Sequence, residues 1–456
     1  MASAICRAAS RSADGGGNGS TASRTAPAPC DGFSLRNRIM ADERAPGLTR
    51  RSWLAAAATL PAAAAAAPAV AGAVGSATAL PATDQFPDIQ GVYLDAGSVH
   101  PFSVGARESV RLYLESRAMN GGPEGYDFAP LRQSVLERFA GLINATPAEV
   151  AYVQSTSAGE QLAVSALGIP EVGGRIVTDA LHFFGSFHLY AELERAGMEV
   201  VILPMRENRI LMSDMEAAVN DRTRLVALSA VSTINGFQHD LKAVCDLAHA
   251  HGAHVYVDAV HAIGAVPFDV RATGVDLVAS SSYKWLMGDM GLGFLYARAD
   301  LIPRLRRPQA GYQQLAAFSS HAYPHDPPGP RMFETRARDD ASGLFAMGTF
   351  TNTGLAHLDW SLDYIQSLGV ETIQAWRQPA IERARAELPR LGFEPMTPED
   401  STSPLVAFAY KDARQAFGDR LQRAGVRVTL GAHRLRVSAS VFNTPADVDR
   451  LVEALA

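Results

Sequence analysis

Cysteine is nearly missing from this chain: Cys6, Cys30 and Cys245 are the three present in 456 residues, and the first two fall in an N-terminal leader. One remaining thiol excludes an internal disulfide and any thiolate metal site in the mature chain. Cys245 lies within the helical pattern Leu241-Lys242-Ala243-Val244-Cys245-Asp246-Leu247-Ala248, which makes it a buried structural thiol. Positive charge is not in excess either: 41 Lys and Arg stand against 47 Asp and Glu, a formal net charge of −6. With no basic stripe interleaved with aromatics, nucleic acid is excluded as a partner. No repeat at a solenoid period is present. The most apolar stretch is alanine-rich and interrupted by Pro61 and Pro68, so it is a poor permanent membrane span. His249, His251 and His254 straddle a helix end and its Gly252 turn and need not converge, so no metal site is expected.

What remains is a chain that is 47% hydrophobic, enough for a substantial core and more than one lobe. Residues 1–39 are rich in Ser, Gly, Ala and Arg without any period, and are read as disordered or as the product of a start codon assigned too early, with Met40 as the alternative start. Residues 40–80 carry Thr49-Arg50-Arg51-Ser52-Trp53-Leu54, an Ala-rich run and the small-residue sites Ala71-Gly72-Ala73 or Ala77-Thr78-Ala79. Charge, apolar run and small residues in that order describe an export signal, and the adjacent arginines make it twin-arginine in type. The twin-arginine export machinery is then a partner, and the location periplasmic or secreted, or cytoplasmic if the leader is not used.

Residues 81–105 form an arm. From Arg107 helical periods alternate with short apolar strands: helices 131–142, 159–167, 187–196, 213–219 and 241–250, and strands 150–153, 175–178, 199–203, 225–230, 255–258, 275–280 and 293–297. Such alternation predicts an α/β large domain, 106–352, with a mostly parallel sheet covered on both faces. Residues 310–341, with Pro324, Pro327, Pro328 and Pro330, are expected to form a mobile surface loop or, in a cofactor enzyme, a cover for the site. Helices 355–368 and 370–388, alternating strands and a last helix 445–455 predict a smaller α+β domain, 353–456.

The chemistry concentrates at Lys284, on a short loop after strand 275–280, and at Asp258, closing the strand His254-Val255-Tyr256-Val257-Asp258. Their separation of 26 positions accommodates a crossover helix and a second strand, which brings both to the same edge of a parallel sheet, where ligands of such sheets bind. A desolvated lysine loses its proton and forms a Schiff base with an aldehyde, whereas arginine stays charged. A pyridine ring withdraws electrons only while its nitrogen is protonated, which an ionised aspartate maintains. Together these are the two groups that pyridoxal 5′-phosphate needs. Ser157, Ala158 and Gly159, after a strand and opening a helix, offer N–H groups and a hydroxyl to the phosphate.

The runs Val257-Asp258-Ala259-Val260-His261-Ala262-Ile263-Gly264, Ser281-Ser282-Tyr283-Lys284-Trp285 and Gly291-Leu292-Gly293-Phe294-Leu295-Tyr296 resemble the class V aminotransferase family, and the resemblance extends from about Tyr93 to the C-terminus. That family holds cysteine desulfurases, selenocysteine lyases, kynureninases and isopenicillin N epimerase-like enzymes, and segment 181–186 looks most like the last branch. The resemblance implies a fold type I, pyridoxal-phosphate-dependent transferase fold acting on a small amino substrate by transamination, epimerisation or elimination. It implies that Ser281 and Tyr283 serve the phosphate, that Ser232 and His261 lie near the ring, and that either His182 or Phe183 covers the ring face. A histidine there would also move protons. His261 either donates to the ring hydroxyl or is bonded only locally. Arg436, in Arg434-Leu435-Arg436-Val437-Ser438, corresponds to the arginine that clamps the substrate carboxylate, with Arg434 as its competitor on the same strand face. Gly348-Thr349 resembles a pair in which Thr349 reaches the phosphate of a neighbouring subunit, implying a homodimer. A desulfurase that forms a persulfide is disfavoured for want of a loop cysteine. An exported binding protein that kept the fold and lost turnover is the contrasting class.

Overall fold

The computed structural model describes residues 80–119 and 128–456. Segment 1–39 and, apart from Leu80, the export segment 40–80 lie outside the described residues. Among the described residues no helix is long and apolar enough to cross a membrane.

In chain order the elements are β1 (Val92–Tyr93), α1 (Val104–Met119), α2 (Phe128–Leu142), β2 (Val150–Val153), α3 (Thr156–Ala166), β3 (Arg175–Asp179), α4 (Ser186–Arg195), β4 (Glu199–Leu203), α5 (Met212–Ala218), β5 (Thr223–Ser229), α6 (Leu241–Ala250), β6 (His254–Asp258), α7 (Val270–Thr273), β7 (Leu277–Ser281) and β8 (Gly293–Ala297). They continue with β9 (Leu315–Ser320), β10 (Phe333–Ala337), α8 (Ala341–Phe345), α9 (Asn352–Leu368), α10 (Val370–Glu387), β11 (Glu394–Pro395), β12 (Val406–Ala409), α11 (Ala413–Arg423), β13 (Val426–Arg427), β14 (Thr429–Leu430), β15 (Arg434–Val437) and α12 (Pro445–Leu455).

The strand periods dictate the layering. Side chains alternate across a strand: Val255 and Val257 of β6 enter the core on one face of the sheet, and Tyr256 enters the core on the other. Phe294 and Tyr296 of β8 likewise face away from Leu295 and Ala297. Apolar on both faces, these strands form a buried seven-stranded sheet of order β2-β8-β7-β6-β5-β3-β4, in which β8 alone runs against the rest. A second sheet, β11-β12-β15-β14, is antiparallel and has its own core with α10, α11 and α12. The large mostly parallel sheet with a smaller antiparallel one is the expected α/β architecture. Leu355, Leu358 and Leu362 of α9 join the core of the large sheet.

Several segments differ from the sequence reading, among them helix α11, which lies where only strands and a last helix were expected. Residues 310–341 contain the antiparallel hairpin β9–β10, whose Phe318 and Phe333 rings stack with centroids 5.9 Å apart. The prolines that suggested an unstructured loop fall between the two strands, where no ladder donor is needed. Helix α1 was not anticipated, because its apolar stripe is weak; it forms by packing on α9.

Candidate active site

The parallel register delivers the two key residues as expected. Asp258 pairs with Ser229 of β5 and Ala279 of β7, and Ser281 ends β7 just before the loop carrying Lys284, so all face the C-terminal edge. Lys284 is 8% exposed and its Nζ lies 3.0 Å from His261 Nε2. Burial pulls its amine down to about 8; Asp258 and Asp95 work against the shift, and Arg436 adds to it. Asp258 is buried, and its Oδ1 accepts the Val260 N–H at 3.0 Å. Burial raises its carboxyl above the ordinary range, opposed first by the charge of His182.

His182 is not placed to cover a ring. It is completely buried, with Nδ1 2.9 Å from Ser229 Oγ and Nε2 3.0 Å from Glu160 Oε1. Burial works against the imidazolium, but the Glu160 contact and the Asp258 and Asp179 charges prevail and raise it. Burial also acts on Glu160, yet His182, Ser186 and Tyr190 hold its carboxyl below the usual range. His182 and Glu160 thus each favour the other's charged form, and His182 acts electrostatically on Asp258. Phe183, at the adjoining position, is the one of the two that is only half-buried.

At the expected phosphate loop, α3 starts at Thr156 with Ser155 as its cap. Two of the three expected donors are already used: Ala158 N–H goes to Ser155 Oγ at 3.2 Å and Gly159 N–H to the Ser155 carbonyl at 2.9 Å. Ser157 is exposed at the second helical position. Gly159 has a packing role, since a Cβ there would stand 2.7 Å from Ala279 Cβ and push α3 off the sheet. Ser281 is at this helix start, bonded to Thr156 through both the N–H (2.8 Å) and the hydroxyl (2.9 Å). Tyr283 is half-buried, and its ring centroid lies 5.6 Å from Lys284 Nζ.

Ser232 is turned to support the loop, donating its hydroxyl to the Leu181 carbonyl at 2.8 Å and accepting from Ile234 N–H, so it is not a free donor to a ring. Thr349 is exposed, with its hydroxyl 2.8 Å from that of Tyr312, and is not brought to Lys284 in this chain. Arg436 is buried, whereas Arg434 is half-buried. Arg436 Nη1 donates to Thr233 carbonyl and hydroxyl, Nη2 to Ser98 and Thr429 hydroxyls, and Nε is buried without a partner. Burial lowers the guanidinium to about 10.

The sequence reading gave no role to Thr156, Glu160, Asp95, Thr233 or Thr429. Thr156 and Glu160 were visible in the Ser155-Thr156-Ser157-Ala158-Gly159-Glu160 run. Asp95 and Thr429, by contrast, meet Arg436 only through folding and carry no local signal. Of the histidine trio, His249 binds Asp276 at 2.8 Å with His254 Nδ1 3.8 Å from the same carboxylate, whereas His251 binds Asp221 at 2.7 Å.

The aminotransferase class-V family model matches residues 124–451, most of the chain. The chain belongs to the class-V aminotransferase family. This class-V protein is 28% identical over 346 residues to a cysteine desulfurase of Klebsiella pneumoniae, covering 71% of the chain and 81% of that protein. It is also 28% identical over 289 residues to a probable cysteine desulfurase of Methanothermobacter thermautotrophicus, covering 62% and 68%. Among solved structures, an Escherichia coli cysteine desulfurase superimposes with a TM-score of 0.71 at 21% identity, covering 83% of this chain and 98% of that one. A cystine C–S lyase bound to cysteine persulfide gives 0.71 at 18%, covering 81% and 99%. These matches confirm the fold type I architecture. The class-V cofactor is pyridoxal 5′-phosphate, and one matched structure carries glycine covalently linked to it. The residues here fit that group: an amine made easy to deprotonate, a carboxylate on the same sheet edge and hydroxyls at a helix N-terminus.

Proposed function

We propose that this class-V enzyme acts at the α-carbon of an amino acid, or of a metabolite containing one, in a lyase, aminotransferase or epimerase type of reaction carried by Lys284. The observation that carries this reading is the buried Lys284 amine, lowered to about 8, on the sheet edge it shares with Asp258 and within the field of Arg436. Pyridoxal phosphate, when bound, supplies an electron sink for the bond broken at that carbon. Lys284 holds it covalently and, when released, takes or returns the proton at the α-carbon. Asp258, with the His182 charge behind it, keeps a proton on the ring nitrogen. Ser157 and Ser281 bind the phosphate at the α3 N-terminus, with Tyr283 beside Lys284. Phe183 covers the ring, and Arg436 binds the substrate carboxylate through its unspent Nε and by exchanging hydroxyl partners.

An enzyme thiol takes no part. Among the described residues the one cysteine is Cys245, buried, with its thiol pushed up by that burial to about 12, so little thiolate exists to accept sulfur. The names of the relatives, desulfurases and a C–S lyase, put sulfur-containing amino acids first among substrates to test and favour elimination without a thiol acceptor. The isopenicillin N epimerase-like reading rests on segment 181–186 and the lineup of motifs. Incubation with a panel of amino compounds including cysteine and cystine, with products read by mass spectrometry, is expected to give turnover that Cys245→Ala leaves unchanged. Loss of turnover in that variant would restore a thiol mechanism.

We further propose export by the twin-arginine route, supported by Arg50-Arg51 ahead of the alanine-rich run. Changing both arginines to lysine is expected to abolish recovery outside the cytoplasm, and undiminished recovery would remove the proposal.

A further inference from the structure

The Trp285 indole donates its Nε1–H to His261 Nδ1 at 3.1 Å, and His261 Nε2 faces Lys284 Nζ at 3.0 Å. Trp285 and His261 are each 2% exposed, so water does not compete for these contacts. An indole N–H only donates, so Nδ1 must present its lone pair, and a neutral imidazole then carries its single proton on Nε2. The ring is neutral: burial, joined by the positive charges of Lys284 and Arg436, drives it well below the ordinary histidine range. An Nε2–H pointed at an ammonium would oppose two donors, but pointed at a free amine it meets a lone pair.

We propose that Trp285 is a positioning residue that locks His261 as its Nε2–H tautomer, so that the imidazole donates to Lys284 Nζ and favours the free, nucleophilic amine. The charges around the amine are Asp258 and Asp95, which favour the ammonium, and Arg436, which opposes it. Around the indole, fully buried Arg377 of α10 places its guanidinium carbon 5.7 Å from the ring centroid and donates Nη2 to the Ala265 carbonyl, with Nε and Nη1 unpartnered. A cation over the ring face draws electron density from the indole and strengthens the N–H as a donor. Gly264 closes the turn after Asp258 at φ +83°, and a Cβ there would stand 2.6 Å from the Trp285 carbonyl, so the turn is held tight against the Trp285 backbone. The small lobe thus reaches the reactive lysine through Arg377, Trp285 and His261 without touching it.

The consequence for reactivity rests on Lys284 being the attachment residue, but the tautomer does not. In cofactor-loaded protein labelled with ¹⁵N-histidine, with His261 assigned by the resonance lost in His261→Gln, the Nε2–H form is expected for the native ring and a mixed or inverted form in Trp285→Phe. A native Nδ1–H or doubly protonated ring overturns the proposal. In protein stripped of cofactor with hydroxylamine, trinitrophenylation of Lys284 by trinitrobenzenesulfonate, in which the free amine displaces sulfite, is mapped by peptide mass spectrometry and is expected to shift its midpoint upward by about one pH unit in Trp285→Phe, a tenfold loss of free amine at a given pH. An unchanged midpoint in a variant with native circular dichroism overturns it as well. Should Trp285→Phe not fold, the native ring spectrum alone decides. A cofactor label on another lysine would strike the proposed function and leave the tautomer result intact.

Discussion

Lys284→Ala is expected to lose covalent cofactor entirely and to turn over about a thousandfold more slowly or worse, since both attachment and the acid–base step vanish with the amine. Borohydride reduction of the native holoenzyme, followed by peptide mapping, should put the pyridoxyl label on the peptide that contains Lys284. The variant should give no labelled peptide. The result also separates a catalyst from an exported binding protein: a binder would keep its affinity for an amino ligand without the amine and would show no turnover in either form. Because the native amine is lowered to about 8, its reaction with the aldehyde should quicken as pH rises through that region and level off above it, well short of an ordinary lysine.

Arg436→Leu is expected to lower kcat/KM for carboxylate-bearing substrates by about two to three powers of ten, matching the ~3–4 kcal/mol typical of a lost buried charge-assisted pair. Substrates with the carboxylate removed should lose far less, and that contrast is the useful measurement. Arg436→Lys should recover part of the loss, since a point charge replaces the fork without its bidentate geometry. Equal losses for substrates with and without the carboxylate would show that Arg436 only braces the Ser98, Thr233 and Thr429 hydroxyls it now contacts. In that case Arg434 becomes the clamp.

The sheet was legible because its strands are apolar on both faces and short, and because helices of clear period separate them. Strand ends at Asp258 and Ser281 therefore came out at the expected edge within a residue or two. The hairpin β9–β10 was hidden because its strands are largely exposed and carry no alternating apolar signal, while its prolines dominate the local composition.

Within the site, residue type alone was enough to single out Lys284 and Asp258, since few side chains can do either task and both follow buried strands. Which of His182 and Phe183 faces the site could not be read from a run of neighbouring rings. Their alternation is set by the turn after β3, and Glu160 and Ser229, from other elements, take both nitrogens of His182. The partner of Ser232 was hidden for a similar reason, since its hydroxyl donates to the Leu181 carbonyl from another loop.

From sequence alone came the fold class, the cofactor and Lys284 as the candidate to hold it, because hydrophobic period and reactive side-chain chemistry are local properties. Folding alone decided the state of that lysine and the occupancy of its neighbours. Protonation and tautomer depend on burial and on partners such as Trp285, Arg377 and Arg436, which converge from distant parts of the chain and acquire their influence only where water has been excluded.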